Sequence, residues 1–297
     1  MSNSSASLKS ARTGSLRTRR IVGDTIAHIF LAVMSVIWLI PIIWVFVESF
    51  NKNTSPFQTT FFPTEYTLDN YKVLFTNTSV MNFTQMFIRT LIIACVVCVI
   101  NLFFVVSVAF CMSRLRFRMR RVFMNVALVL GMFPGIMAGL AVYFICKEIG
   151  LTGTPFRTMI ALIIVYAGGS GMAFYMMKGY MDTIPISLDE AAMLDGCTKW
   201  QIFTKIMLPI TRPMMVYQSI VGFLIPWLDF VMARIIARTQ DSYTVPLGMW
   251  QMLQKEYIAQ WYARFAAAAV CISIPIAILF IIMQRFYQES MSGSVKG

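Results

Sequence analysis

The chain has 297 residues, of which 58% are hydrophobic and only 13% charged, and its mean hydropathy is +0.70. That composition excludes a soluble globular domain and places the chain in a membrane, where a net charge of +12 belongs to topology before nucleic acid. A single histidine, His28, and the lack of any phosphate loop, HExxH, GxSxG or metal-spaced His/Cys motif exclude most enzyme classes and any self-contained ATPase.

Residues 1–20 are polar and basic. The first charge-free run, Thr25–Val47, is too long for a secretory signal and lacks a small-residue cleavage site, so it reads as an uncleaved helix. Further runs follow at Thr90–Ser113, Val122–Cys146, Thr158–Met177 and Phe265–Gln284, and a sixth, Pro213–Ala233, is interrupted only by Asp229. At about 1.5 Å per residue each can cross a hydrocarbon core of about 30 Å as a helix, and continuous apolar runs exclude barrel strands. The expected fold is therefore an all-α integral membrane protein with six transmembrane helices.

Orientation follows from Lys and Arg. Segments sharing a side with the N-terminus carry 16 in 78 positions, including Arg114, Arg116, Arg118, Arg120 and Arg121 in one short loop; the opposite segments carry 9 in 84. Both termini are expected in the cytoplasm. The domain reading is a basic N-terminal segment (1–20), a six-span domain (21–287) and a cytoplasmic tail (288–297), whose glycines and polar residues read as flexible.

Five of the six cysteines, Cys95, Cys98, Cys111, Cys146 and Cys271, lie in or beside apolar runs, and no disulfide framework or metal site is implied. Cys95 and Cys98, one turn apart, read as packing residues. Asn-x-Ser/Thr triplets at Asn53, Asn77 and Asn82 are chance-level signals.

The segment Lys178–Arg212 is too ordered for a connector. Pro185 and Ser187-x-x-Glu190 suggest a capped helix that stops at Gly196. Thr198-x-x-Gln201 then opens a second amphipathic helix, which Leu208-Pro209 should end. Ala191 and Ala192 leave a narrow surface against which another backbone can approach. From these residues alone the hairpin (185–209) is either a docking element or a helical pair lying on the membrane surface.

Glu190-Ala191-Ala192, Asp195-Gly196 and Ile206-x-Leu208-Pro209 resemble the EAA loop of inner-membrane permeases in binding-protein-dependent ABC importers. The resemblance spans nearly the whole chain after residue 20. Thr67-Leu68-Asp69-Asn70-Tyr71, Ala109-Phe110-x-Met112-Ser113-Arg114 and Gln284-Arg285 look like the carbohydrate subgroup. Met132-Phe133-Pro134, Tyr166-Ala167-Gly168-Gly169, Lys178-Gly179-Tyr180 and Phe265-Ala266-Ala267-Ala268-Ala269 are similar to maltose/maltodextrin permeases. Trp227 is followed by Leu228, where that subgroup usually carries asparagine.

The resemblance implies the type I importer permease fold, a multi-pass place in a prokaryotic cell membrane, and import of a carbohydrate, maltodextrin being preferred. It implies partners: a second homologous permease, two ATPase subunits that bind the ATP, and an extracytoplasmic sugar-binding protein. This chain would hold no cofactor, metal or catalytic residue of its own. Glu190, Ala191, Ala192, Asp195, Gly196, Ile206, Leu208 and Pro209 would couple to the ATPase, and Gly293, Val295, Lys296 and Gly297 of the tail would reach between its subunits. Asp229 is the only acid well inside an apolar run, so it should face protein or a water-filled path. Trp227 stacking on a sugar ring while Asp229 accepts its hydroxyls is one reading; pairing of Asp229 with Arg234 or a partner subunit is the other. Glycines 131, 135, 139, 168, 169 and 171, with Ser170, offer surfaces for helix contact, and Pro41, Pro134, Pro226 and Pro275 can kink four helices.

Overall fold

A computed structural model describes residues 3–56, 60–78, 80–132, 135–169 and 173–293, with only the backbone given for 3–20, 135–136 and 287–293. Among the described residues the structure is helical, with one isolated antiparallel bridge between Asn51 and Tyr66. The helices are α1 (Asn3–Glu48), α2 (Asp69–Thr76), α3 (Phe83–Arg114), α4 (Arg120–Gly131), α5 (Gly135–Glu148), α6 (Pro155–Gly168) and α7 (Ala173–Asp182). They continue as α8 (Ser187–Leu194), α9 (Lys199–Gln201), α10 (Leu208–Ile210), α11 (Arg212–Leu228), α12 (Val231–Ile236), α13 (Val245–Met252) and α14 (Ile258–Gly293). Helical backbone thus extends to Gly293, into the segment whose composition reads as flexible.

Among the described residues four stretches are long and apolar enough to cross a membrane: Ile21–Glu48, Phe83–Arg114, Pro155–Asp182 (carried by α6 and α7) and Ile258–Phe286. The fifth expected run is α11, set at 78° to the preceding stretch Lys199–Ile210. The third, Val122–Cys146, is not one long helix: α4 and α5, of 12 and 14 residues, lie on either side of 133–134, which fall outside the described residues. α4 ends at Gly131 with Met132 as its cap, and α5 begins at Gly135.

The core is the seam between α3 and α11. Ile93, Ala94, Val97, Asn101 and Val105 recur at helical spacing on α3 and are buried; Ala94 packs with Phe223 and Trp227 and Asn101 lies against Gly222 of α11, while Ile93 and Val97 pack with Ala161, Leu162 and Tyr166 of α6. The helices approach closely at Gly222, where a Cβ would lie 3.5 Å from the Cys98 Cα, an ordinary contact distance that would also admit alanine. Cys98 donates its thiol to the Ser219 carbonyl, 3.2 Å, and all six cysteines are free; Cys98 packs at the seam, whereas Cys95 is exposed within this chain. Gly139 is a second close approach: a Cβ would meet the Met232 Cε at 2.8 Å. Gly168 and Gly169 face open space within this chain.

The spanning part of α1 is unburied within this chain, with Trp38 70% exposed, and an apolar helix of that kind needs lipid or another subunit around it. The fifth expected run also breaks earlier than its hydrophobicity suggests. Pro226 withholds an amide two residues before Leu228, where α11 ends, and Asp229 sits in the gap between α11 and α12.

Candidate functional site

Two regions hold the residues singled out in the sequence: the hairpin of α8 and α9, and a polar cavity beside α3 and α11.

The hairpin turns at Gly196, whose φ of +84° is the left-handed conformation that glycine adopts without steric cost. Cys197 N–H bonds to Ala192 O at 2.9 Å and Gly196 N–H to Met193 O at 3.1 Å, closing α8 in the Schellman pattern. The second capping box forms as expected: Gln201 N–H donates to Thr198 Oγ1 at 3.3 Å and Thr198 N–H to Gln201 Oε1 at 2.7 Å. The first does not. Ile186 is already helical, and the amides of Leu188, Asp189 and Glu190 bond to Pro185 and Ile186 carbonyls. The turn therefore starts earlier, and Ser187 lies inside it rather than capping it.

Leu208-Pro209 does not end the second helix either. A π turn over Ile202–Met207 lets Leu208 N–H reach Phe203 O, and the chain stays helical through Pro209 to Ile210. Thr211 then bonds Met207 O with both its amide, 2.9 Å, and its hydroxyl, 2.8 Å, before the bend into α11.

α8 has two faces. Asp189 and Ala192 are buried toward a cluster that includes Val106, Phe110, Met181, Ile184 and Met207. Leu188, Glu190, Ala191, Met193 and Leu194 are exposed, Leu194 at 89%. Asp195 and Pro209 are also exposed, while Ile206 and Leu208 are half-buried against the same cluster. Ala191 and Ala192 thus have opposite roles, one on the outer surface and one in the packing.

The hairpin is held by a residue that the sequence placed only in the basic loop and in the segment resembling the carbohydrate subgroup. Arg114, the last residue of α3, forms an ion pair with Asp189 at 3.0 Å, each side chain 6% exposed. Its Nη2 donates to the carbonyls of Met181, 3.0 Å, and Ile184, 2.7 Å, at the end of α7. Losing one partner of a buried pair costs about 3–5 kcal/mol. Neither the run of arginines nor the segment ending at Arg114 pointed to its partner, and Asp189 was masked by the helix-start pattern around it.

The cavity, of about 570 Å³, lies between α3, α6, α7, α11 and α12. Its polar lining includes Asn101, Tyr166, Tyr175, Gln218 and Asp229. Asp229 Oδ2 accepts from the Tyr166 hydroxyl at 2.8 Å and from the amides of Met232 and Ala233 at 2.9 and 3.1 Å, so it also caps α12. Its expected partner Arg234 goes elsewhere, donating to the Tyr243 hydroxyl at 2.6 Å with its guanidinium 5.2 Å from the Trp250 ring centre. Asn101 and Gln218 are each 3% exposed, and their side-chain carbonyl oxygens accept no hydrogen bond. No sequence signal marked these two amides, because polar residues scattered in apolar helices carry no pattern.

Trp227 and Asp229, expected side by side, lie in different surroundings. Trp227 is 1% exposed, stacked on Phe223 and edge-on to Phe87, with its indole N–H on Ile272 O at 3.2 Å. It does not line the cavity. Of the tail residues, Gly293 ends α14, and Val295, Lys296 and Gly297 lie outside the described residues.

Residues 105–293 match the family model for the binding-protein-dependent transport system inner membrane component. The chain is 34% identical over 284 residues to the galactooligosaccharides transport system permease protein GanQ of Bacillus subtilis, covering 95% of this chain and 99% of that protein. It is 31% identical to the maltodextrin transport system permease protein MdxG of the same organism, covering 94% and 99%. A bacterial ABC transporter that imports the acidic polysaccharide alginate shares the fold, with a TM-score of 0.69 at 21% identity over 91% of this chain and 98% of that one.

Proposed function

The chain belongs to the family of binding-protein-dependent transport system inner membrane components, and we propose that it is one permease half of an ABC importer carrying a neutral oligosaccharide inward. It is a multi-pass membrane transport subunit and not an enzyme. In the proposed assembly a second permease covers apolar surface such as α1, two ATPase subunits bind the nucleotide, and an extracytoplasmic protein delivers the sugar. The arginine-rich ends and both termini face the cytoplasm.

The observation that carries this reading is the two-faced α8: anchored inward through Asp189 and Ala192, it presents Glu190, Ala191 and Leu194 outward on a rigid turn. Such a surface fits a cleft on a partner, and ATP-driven closure of an ATPase pair would move it as a unit. The helices then open outward to receive sugar, and hydrolysis returns them. The two permease relatives from Bacillus subtilis are named for galactooligosaccharides and maltodextrin, which favours a neutral oligosaccharide as cargo, with maltodextrin one of the two sugars to test first.

The cavity supports a neutral solute independently. Its lining includes amides, tyrosines and one carboxylate, and among the described residues no Lys or Arg belongs to it, whereas a phosphorylated solute would demand cations. Asn101, Gln218 and Asp229 offer acceptors for hydroxyls, and Tyr166 and Tyr175 offer aromatic faces. Trp227 would contribute from behind, by fixing α11 against α14. A membrane enzyme would need converging acids, bases or metal ligands, and the described residues contain no cluster of three or more His, Cys, Asp or Glu able to hold a metal. The tail residues Gly293, Val295, Lys296 and Gly297 are proposed to reach between the ATPase subunits; deleting 293–297 should leave insertion intact and weaken ATPase assembly.

The test is Glu190→Lys in the reconstituted complex. Uptake of maltotriose or galactotriose should fall with insertion unchanged and the ATPase bound less well. Uptake and ATPase retention at wild-type levels would refute the docking role.

A further inference from the structure

We propose that Arg114 and Asp189 form the joint through which motion of the docked hairpin enters the membrane helices. This rests on the docking reading of α8 and goes beyond it, because it names the connection on the far side of the hairpin and the helix that receives the motion.

The geometry singles out Arg114 among the arginines near it. Arg116 and Arg118 are exposed at the cavity beside the loop, a position that suits solvent or lipid headgroups. Arg114 is turned inward, and one guanidinium joins three elements: Asp189 on α8, the Met181 and Ile184 carbonyls at the end of α7, and α3 through its own backbone. Nη2 donates to both carbonyls while Nε meets Asp189 Oδ2 as a close ion pair without an aligned hydrogen bond, an arrangement that needs the planar, extended guanidinium and that a compact ammonium does not reproduce. Ser113, beside it, donates to Asp182 Oδ1 at 2.6 Å and strengthens the same α3–α7 contact.

Burial turns the joint into a stiff one. Arg114 lies against Met181, Ile184 and Met207 of a buried apolar cluster, and the Met207 sulfur lies 4.0 Å from Nη2. Tightly packed apolar surroundings transmit displacement rather than absorb it. The outer face of α8 needs none of this for its shape, since Gly196 and the Schellman bonds already fix the hairpin turn. The ion pair therefore serves the connection to the body more than the form of the docking surface.

The receiving helix leads to the cavity. α3 is continuous from Phe83 to Arg114, and Asn101, whose unpaired carbonyl belongs to the cavity lining, lies 13 residues before Arg114. At about 1.5 Å per residue that separation is roughly 20 Å along one rigid rod. α3 also makes the core seam with α11, which carries Gln218 on the same cavity. A push on α8 is thereby carried by one side chain to the end of α3, and by α3 to the wall that touches the solute. Arg114 and Asp189 are positioning residues in this scheme, because neither touches the solute or ATP.

The experiment uses the whole complex, this chain with its partner permease, ATPase pair and binding protein, reconstituted in proteoliposomes with maltotriose or galactotriose as the probe. Three forms are compared: Arg114→Lys, Asp189→Asn, and the double replacement Arg114→Met with Asp189→Leu. Replacing a buried ion pair by apolar side chains of similar volume is often neutral for folding, so the double variant separates coupling from stability. Its expected behaviour is normal insertion and normal co-purification of the ATPase, with sugar carried per ATP hydrolysed falling about tenfold, inside the ~5–150-fold range typical of coupling between distant sites. Arg114→Lys should lie between it and the wild type.

Wild-type sugar per ATP in the double variant would overturn the proposal. So would loss of ATPase binding in all three forms, since the pair would then be building the docking face. Failure of the unaltered chain to retain the ATPase at all would instead refute the docking reading, and the two failures are distinguished by that control.

Discussion

Two ion pairs mark contrasting regions of the molecule. Lys52 and Glu65, in the loop before α3, are 2.7 Å apart, and each side chain is 66% exposed. Arg114 and Asp189, where α3 ends, are 3.0 Å apart and each 6% exposed. Ranked by distance, the loop pair would be stronger; ranked by physics, the order reverses. Water and salt screen the exposed charges and offer each of them an equally good partner. The buried charges have no such alternative, so removing either one strands the other. Length therefore says little about what an ion pair does here, and burial says nearly everything.

The largest expected effect follows directly. Asp189→Ala should lower the stability of the purified chain by about 3–5 kcal/mol, read as a drop in its thermal midpoint in detergent, while Lys52→Ala should lower the midpoint only slightly, and only at low salt. Equal shifts in the two variants would break the comparison.

The cavity is an intermediate case that sharpens it. Asp229 is half-buried and accepts from Tyr166 and two backbone amides, so Asp229→Ala should cost about 1–3 kcal/mol through the donors it leaves behind. Asp229→Asn keeps an acceptor oxygen, and it should assemble normally while reducing uptake. Reduced assembly with unchanged uptake per assembled complex would remove Asp229 from the solute path and leave it a cap for α12.

How far the sequence could be read follows the same divide between pattern and contact. Six apolar runs and the EAA signature were legible because each is a local pattern: long runs without charge, and Glu190-Ala191-Ala192 with Gly196 at fixed spacing. Gly196 at φ +84° and the Thr198/Gln201 box are local too, and both appear as expected. Ser187 failed as a cap because Ile186 was already helical, a matter of one residue's backbone that composition does not encode. Pro209 failed as a stop because a π turn ahead of it absorbed the missing donor. Arg114–Asp189 spans 75 positions, and Asn101 meets Gln218 only once α3 packs on α11; contacts between distant segments leave no mark on either segment alone.

A smaller effect is expected at the hairpin turn, where no charge is involved. Gly196→Val forces a branched side chain into φ +84°, although nothing lies within 4 Å of the place its Cβ would take. The cost is therefore backbone strain alone, about 1–2 kcal/mol. Uptake should fall through misplacement of α8 relative to α9, with Arg114–Asp189 still formed. Thermal midpoints and uptake rates both equal to wild type would mean that the turn tolerates another conformation.

The smallest effect belongs to Lys52 and Glu65, and its sign with pH can be worked out. The hydrogen bond from Lys52, and then its charge, hold the Glu65 carboxyl below its ordinary range; the same bond and charge, with a lesser contribution from Asp69, hold Lys52 above its own. A depressed carboxylate stabilises the fold above its unfolded pKa and loses that contribution as pH falls through the lower folded value. A raised lysine stabilises below its unfolded pKa and loses the contribution as pH rises through the higher folded value. The pair is thus fully present only between about pH 5 and about pH 9, inside the ordinary Glu and Lys ranges. Glu65→Gln should show a slightly lower thermal midpoint than wild type in that window at low salt. The difference should close on acidification, and it should also close at about 1 M salt, where the Debye length is about 3 Å. A gap that survives high salt, or one comparable with that of Asp189→Ala, would show that the loop pair is not exposed in the membrane-embedded protein, and the contrast between the two regions would fail at its weaker member.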